Sequence, residues 1–150
     1  MCLQTINDHE NSNIEGTGYQ IVKKIENTES YIPAFAGKKI TTKKYLSDVF
    51  SPVKIGEEKE AVGHNIERKE KGVIYPAGFH IVTNFEDVMS VMLMCPRHHL
   101  LKLVKVSWRH QLVKGYVNFT KEKHLPVEAP VVVAKYRTIL EEIDTDQQKG

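Results

Sequence analysis

VIYPAGFHIVTNFEDVMSVMLM, spanning Val73 to Met94, changes its period half-way along. The first half reads as a strand, a tight turn at Gly78 and a second short strand carrying His80. Successive strand side chains alternate, so Phe79 and Ile81 face one side of the sheet and His80 and Val82 the other. Thr83 or Asn84 then supplies an N-cap, with Glu86 and Asp87 in the first turn, where the helix dipole favours negative charge. Phe85, Val88, Met89 and Met92 recur at i, i+3, i+4 and i+7, which places them on one helix face. The methionines fill core space on that face, and Cys95-Pro96 stops the helix.

Strand signals lie on both sides of this segment. Pro130 to Leu140 is the strongest, with three consecutive valines. Leu100 to Trp108 is a second strand, and Gln111 to Phe119 is expected to pair back onto it across a turn near Arg109-His110. Gly18 to Ile25 is a third. Tyr31 to Lys38 is apolar but interrupted by Pro33 and Gly37, which suits a surface loop or a short edge strand. Thr41 or Thr42 caps a short helix containing Tyr45, Leu46 and Val49 and ending near Ser51-Pro52. Glu57 to Lys71 is charged without apolar periodicity and reads as a solvated loop or exposed helix. The expected fold class is α+β: a twisted, mostly antiparallel sheet with one or two helices. It forms a single domain over 18–143, between a flexible N-terminal segment (1–17, polar and turn-rich from Asn7) and a frayed tail (144–150).

Composition bounds the function. A chain of 150 residues suits one domain with a real core. The net charge of +2 gives no strong nucleic-acid signal, although a local basic face remains open. No apolar run approaches the roughly 20 residues that span a bilayer, so no membrane partner is expected. The N-terminus lacks the basic and apolar regions of a signal peptide, and Cys2 and Cys95 make no disulfide framework. These features point to the cytoplasm.

Candidate chemistry is sparse. Cys2, freed by removal of Met1, would carry a thiol beside an α-amino base. Leu3-Gln4-Thr5 follows, where N-terminal nucleophile enzymes place glycine. Cys95, His98 and His99 form a compact set of possible metal ligands, but adjacent histidines on a strand point apart, so a polar turn is expected and no metal. Glycine-rich phosphate loops, serine elbows and paired-carboxylate motifs are absent, so no catalytic residue and no cofactor is assigned. His80, beside Gly78-Phe79, is the histidine with the most specific context. Lys105, Arg109, Lys135 and Arg137 lie on strands, and Lys135 and Arg137 share parity, so both are expected on one sheet face. If concave, that face is an anion or nucleotide pocket, with Trp108 and Tyr136 offering stacking surfaces. The expected ligand-binding set is His80, Lys105, Arg109, Lys135 and Arg137.

Two resemblances rest on these residues. Met1-Cys2-Leu3, Gly18-Tyr19-Gln20-Ile21-Val22, Tyr31-Ile32-Pro33-Ala34-Phe35, Tyr75-Pro76-Ala77-Gly78-Phe79-His80 and Val104-Lys105-Val106 occur in that order. The layout resembles a group of small phage- and prophage-encoded proteins of uncharacterised function, which implies an accessory role during infection, directed at host defence. Locally, Gly78-Phe79-His80-Ile81-Val82-Thr83 before a helix is similar to the central strand and helix of ADP-ribosyltransferases. That family carries a His or Arg in its first strand, where Gly18-Tyr19-Gln20 has neither, and a late Glu, for which Glu128 is the nearest match. A non-catalytic version follows more readily than an active transferase.

The leading expectation is therefore a cytoplasmic phage-type protein in a bacterial host. It binds a small anionic, nucleotide-like ligand and thereby sequesters a host defence signal. One alternative is ADP-ribosyl or nucleotide-cleaving chemistry around His80 and Glu128. Another is an inhibitor of a host protein using Tyr31 to Phe35 as contact. A homo-oligomer is compatible with each.

Overall fold

The computed structural model describes residues 3, 5–33, 52–61, 65–68, 73–76, 78–95, 100–119 and 127–144. Their strands are β1 (Thr5–Asp8), β2 (Asn11–Lys24), β3 (Ser30–Pro33), β4 (Val53–Lys54), β5 (Glu58–Glu60), β6 (Asn65–Arg68), β7 (Val73–Pro76), β8 (Phe79–Val82), β9 (Lys102–Phe119) and β10 (Val127–Ile143). One helix, α1 (Phe85–Met94), follows β8. All the strand pairings are antiparallel. Among the described residues the fold is thus a single-domain antiparallel sheet with one short helix, and the strand content exceeds the α+β expectation.

The main sheet runs β1-β9-β10-β8-β2-β3-β4, and β2 also returns to pair with β9. Strands β9, β10, β8 and β2 therefore close into a ring. Its joins are unequal. β9 and β10 pair along nearly their whole length, and β2 follows β9 from Glu15 to Val22. β2 and β8 register at one pair only, Tyr19 with Val82. Strands β6 and β7 form a separate hairpin, Asn65 opposite Pro76.

Two apolar clusters lie on the two faces of this sheet. The inner one draws on all four ring strands: Val22, Phe79, Ile81, Val104, Val106, Trp108, Val132, Ala134 and Ile139, joined by Tyr31 and Val53. The outer one packs Val88, Val91 and Met92 of α1 against Ile21, Val82, Leu103, Val131 and Val133. The alternation expected in β8 holds: Phe79 and Ile81 are inner, Val82 is outer. The α1 reading holds as well. Asn84 is the N-cap and accepts from the Asp87 N–H at 3.2 Å, and Phe85 and Met89 pack beside the buried Val88 and Met92.

Three expectations give way. No hairpin turn occurs at Arg109-His110. β9 continues through this point as one strand, kinked at His110 (φ 63°), because β10 pairs along both halves. Residues 5–8 and 11–17 are strand in place of a flexible segment, because β9 offers them a ladder: Thr5 lies opposite Tyr116, and Gly16 opposite Trp108. The charged segment after Glu57 supplies β5 and β6. β5 is recruited to the free side of β10, where Glu58 lies opposite Thr138 and Glu60 opposite Tyr136. Tyr31 belongs to β3, which lies between β2 and β4 rather than at the sheet edge, and its side chain is buried in the inner cluster rather than presented as a contact. The expected helix at Tyr45 to Val49, along with Cys2, Ala34, Phe35, His98, His99 and the tail after Asp144, lies outside the described residues.

Candidate functional site

The inner face holds one row that differs from the rest. Gly16 on β2, Trp108 on β9 and Arg137 on β10 are consecutive cross-strand partners. Arg137 is 1% exposed, although its neighbours in the inner cluster are apolar. Lys135 has the same parity, yet the structure separates the two. The inward residues of β10 are Val132 and Ala134 before the kink opposite His110, and Ile139 and Arg137 after it. This change of parity turns Arg137 inward.

The guanidinium lies over the Phe79 ring, 4.4 Å from its centroid. Its Nη1 donates to Gln20 Oε1 at 2.7 Å. The Gln20 amide in turn donates from Nε2 to the His80 carbonyl at 2.9 Å. Gln20 thus ties β2 to both β8 and β10 where the β2–β8 ladder is shortest. The other two Arg137 nitrogens, Nε and Nη2, are buried and meet no acceptor among the described residues, and neither does Trp108 Nε1. No described carboxylate pairs with Arg137, and burial pushes its guanidinium down to about 10, which still leaves it charged at neutral pH. An ionised group in an apolar interior with donors unmatched is costly, and such groups concentrate where something else is bound.

Arg109 shows what those two nitrogens can do. On the opposite face of β9, its Nε and Nη2 grip the Glu58 carboxylate side-on, at 2.8 and 3.3 Å. Glu58 is held below the usual carboxylate range by that hydrogen bond, and Arg109 is raised. The same Nε/Nη2 fork in Arg137 faces no such partner. Such a fork matches the two oxygens of a carboxylate or phosphate.

The expected ligand set is not brought together. Arg109 stacks on Tyr136 at 3.8 Å and is engaged by Glu58. Lys135 pairs with Glu60 at 3.7 Å. Lys105 is half-buried opposite Tyr19 and Glu141. His80 is half-buried on the α1 side of β8, with Nδ1 3.1 Å from the Gly78 carbonyl, and burial pushes its pKa down to about 4. His80 lies opposite Val133, five residues along β10 from Glu128, or about 16 Å of strand, so the carboxylate required by a transferase is remote. Of the five, only Arg137 reaches the inner row. Trp108 lies beside it in that row, and Gln20, opposite Val104 on β9, reaches it by its side chain; Gln20 escaped the sequence reading. Its signal was a polar side chain at inward parity between Gly18 and Val22.

No family model, curated protein or solved structure matches this chain. Among the described residues there is no cluster of His, Cys, Asp and Glu able to hold a metal, and no helix is long and apolar enough to cross a membrane. At the far end of the inner cluster the Tyr31 hydroxyl donates to Glu142 at 3.0 Å, and burial with that contact pushes its pKa up to about 12. Tyr31 is thus already engaged and adds no donor to the row.

Proposed function

We propose that this protein binds a small oxyanion, a carboxylate or phosphate, on the inner face of its strand ring. The observation that carries this is the fully buried Arg137, whose Nε and Nη2 lack an acceptor while Trp108 Nε1, on the cross-strand neighbour, lacks one too. The row is rich in donors and poor in acceptors, the polarity an anion needs. Gln20 and Phe79 fix the guanidinium by one hydrogen bond and one ring face, so the fork is pre-organised. Nothing in the row supplies a nucleophile or a general base, which favours capture over turnover. Capture is also what the accessory role in a phage-infected bacterium, suggested by the sequence resemblance, would require.

Isothermal titration of the full chain with benzoate, phenyl phosphate, inorganic phosphate and adenosine monophosphate tests this. Saturable binding of at least one anion is expected in the native protein and not in Arg137→Met. Binding that survives in a folded Arg137→Met variant would place the anion elsewhere and refute the site.

A further inference from the structure

The charge and donor count of the inner row narrow the ligand further. Resting on the reading that Arg137 holds an anion, we infer that the ligand is a small-molecule monocarboxylate on an uncharged body, and not a nucleotide or other phosphate monoester. Among the described residues Arg137 is the only buried cation, and the only other buried polar residue is Gln111. Gln111 bonds to Asp8 and to the His9 carbonyl, outside this row. One cation compensates one negative charge. A phosphate monoester carries about −1.5 to −2 at neutral pH, and the excess would sit among Phe79, Ile81, Val106 and Ile139 with nothing to offset it. A carboxylate carries one charge and offers about four acceptor positions on two oxygens. The side-on fork takes one position on each oxygen, as Arg109 does with Glu58. Trp108 Nε1, which also lacks an acceptor, is assigned as a third donor to one of them. Gly16 admits the indole to this row: a Cβ there would lie 3.1 Å from Trp108 Cζ2. The side chains around Arg137 are apolar, so whatever the carboxylate is attached to has to be uncharged.

The test is a matched pair that differs only in the anionic group. Benzoate and phenyl phosphate are titrated at pH 7.5 into the native full chain, Arg137→Lys and Trp108→Phe, each variant first shown folded by circular dichroism. Benzoate is expected to bind at least tenfold more tightly than phenyl phosphate. Arg137→Lys keeps the charge but loses the fork, and should weaken benzoate tenfold or more. Trp108→Phe removes the third donor and should weaken it severalfold. Phenyl phosphate binding as tightly as benzoate, and still depending on Arg137, would overturn the carboxylate assignment while leaving the anion site standing. Loss of benzoate binding in Arg137→Lys with no change in Trp108→Phe would overturn the role of the indole. If neither compound binds the native protein in an Arg137-dependent way, both readings fail.

Discussion

Replacing Arg137 by Met should abolish anion binding while leaving the fold nearly as stable as before. The substitution removes two buried nitrogens that lack acceptors. Each such group costs about 1–3 kcal/mol, so about 2–6 kcal/mol is relieved. It also forfeits the charge-assisted bond from Nη1 to Gln20, about 1.5–3 kcal/mol, and the contact with the Phe79 ring, about 2 kcal/mol for a desolvated pair. The two sides nearly cancel once the Gln20 oxygen, left without its donor, is counted within the cost of that lost bond. Met fills a similar volume without a charge to desolvate, and buried ionic groups replaced in this way are often neutral or stabilising. For a chain of 150 residues each kcal/mol moves Tm by about 2–4 °C. The expected shift is therefore within about 4 °C of zero, read by thermal denaturation followed by circular dichroism. If Arg137 were instead a fully satisfied structural cation, removing it would cost about 3–5 kcal/mol and lower Tm by about 6 °C or more. A fall of that size would refute the argument. The double variant Arg137→Met/Gln20→Leu checks it again, since Gln20 then leaves no orphaned carbonyl but gives up its bond to His80, loosening the β2–β8 join.

Other outcomes follow from the same geometry. Arg109→Ala should leave anion binding unchanged by titration and cost less than about 1 kcal/mol, because Arg109 is half-exposed and already engaged by Glu58. Gly18→Ala should lower Tm by several degrees: its Cβ would collide with the Ile81 side chain and lie 2.9 Å from the Val82 carbonyl oxygen, forcing apart the single-pair β2–β8 join, and overpacking of this kind costs about 1–3 kcal/mol. His80 has a folded pKa of about 4 against an ordinary 6.5, so between those values the unfolded chain binds the proton first. Stability should therefore fall as pH drops from 6.5 toward 4, by as much as about 3 kcal/mol, and His80→Gln should flatten urea-denaturation midpoints over that window.

The helix was legible because its signals are local: Asn84 caps it, and its apolar period is short enough to read along the chain. β8 was legible for the same reason. β9 was misread at Arg109-His110, since two polar residues between apolar runs look like a turn until a partner strand spans both runs. The strand over residues 11–17 is built from polar and small residues with weak β preference, and pairing with β9 rather than intrinsic propensity decides it. Arg137 was singled out by sequence, but for a face it does not share with Lys135. Strict alternation predicts a common face, and the kink opposite His110 breaks the alternation between the two. No count along a single strand can detect this, because the irregularity belongs to the pair of strands. Gln20 and Trp108 join Arg137 only once three separate strands are laid side by side.

The ring also sets an order of assembly. β10 is the strand that joins β9, β8 and β5, so neither apolar cluster can be completed while residues 127–143 are still being synthesised. β2 must hold its inward side chains exposed across the synthesis of more than a hundred later residues before Arg137 arrives beside Gln20. Long-range pairings of this kind place folding in the millisecond-to-second class typical of β proteins. A chain cut before β10 would present two unfinished faces and one open edge along the 18-residue β9, a template for association with other chains. Supplied separately, a peptide of β10 should seat in that gap, which makes the C-terminal strand a natural point at which to divide this protein into two complementing pieces.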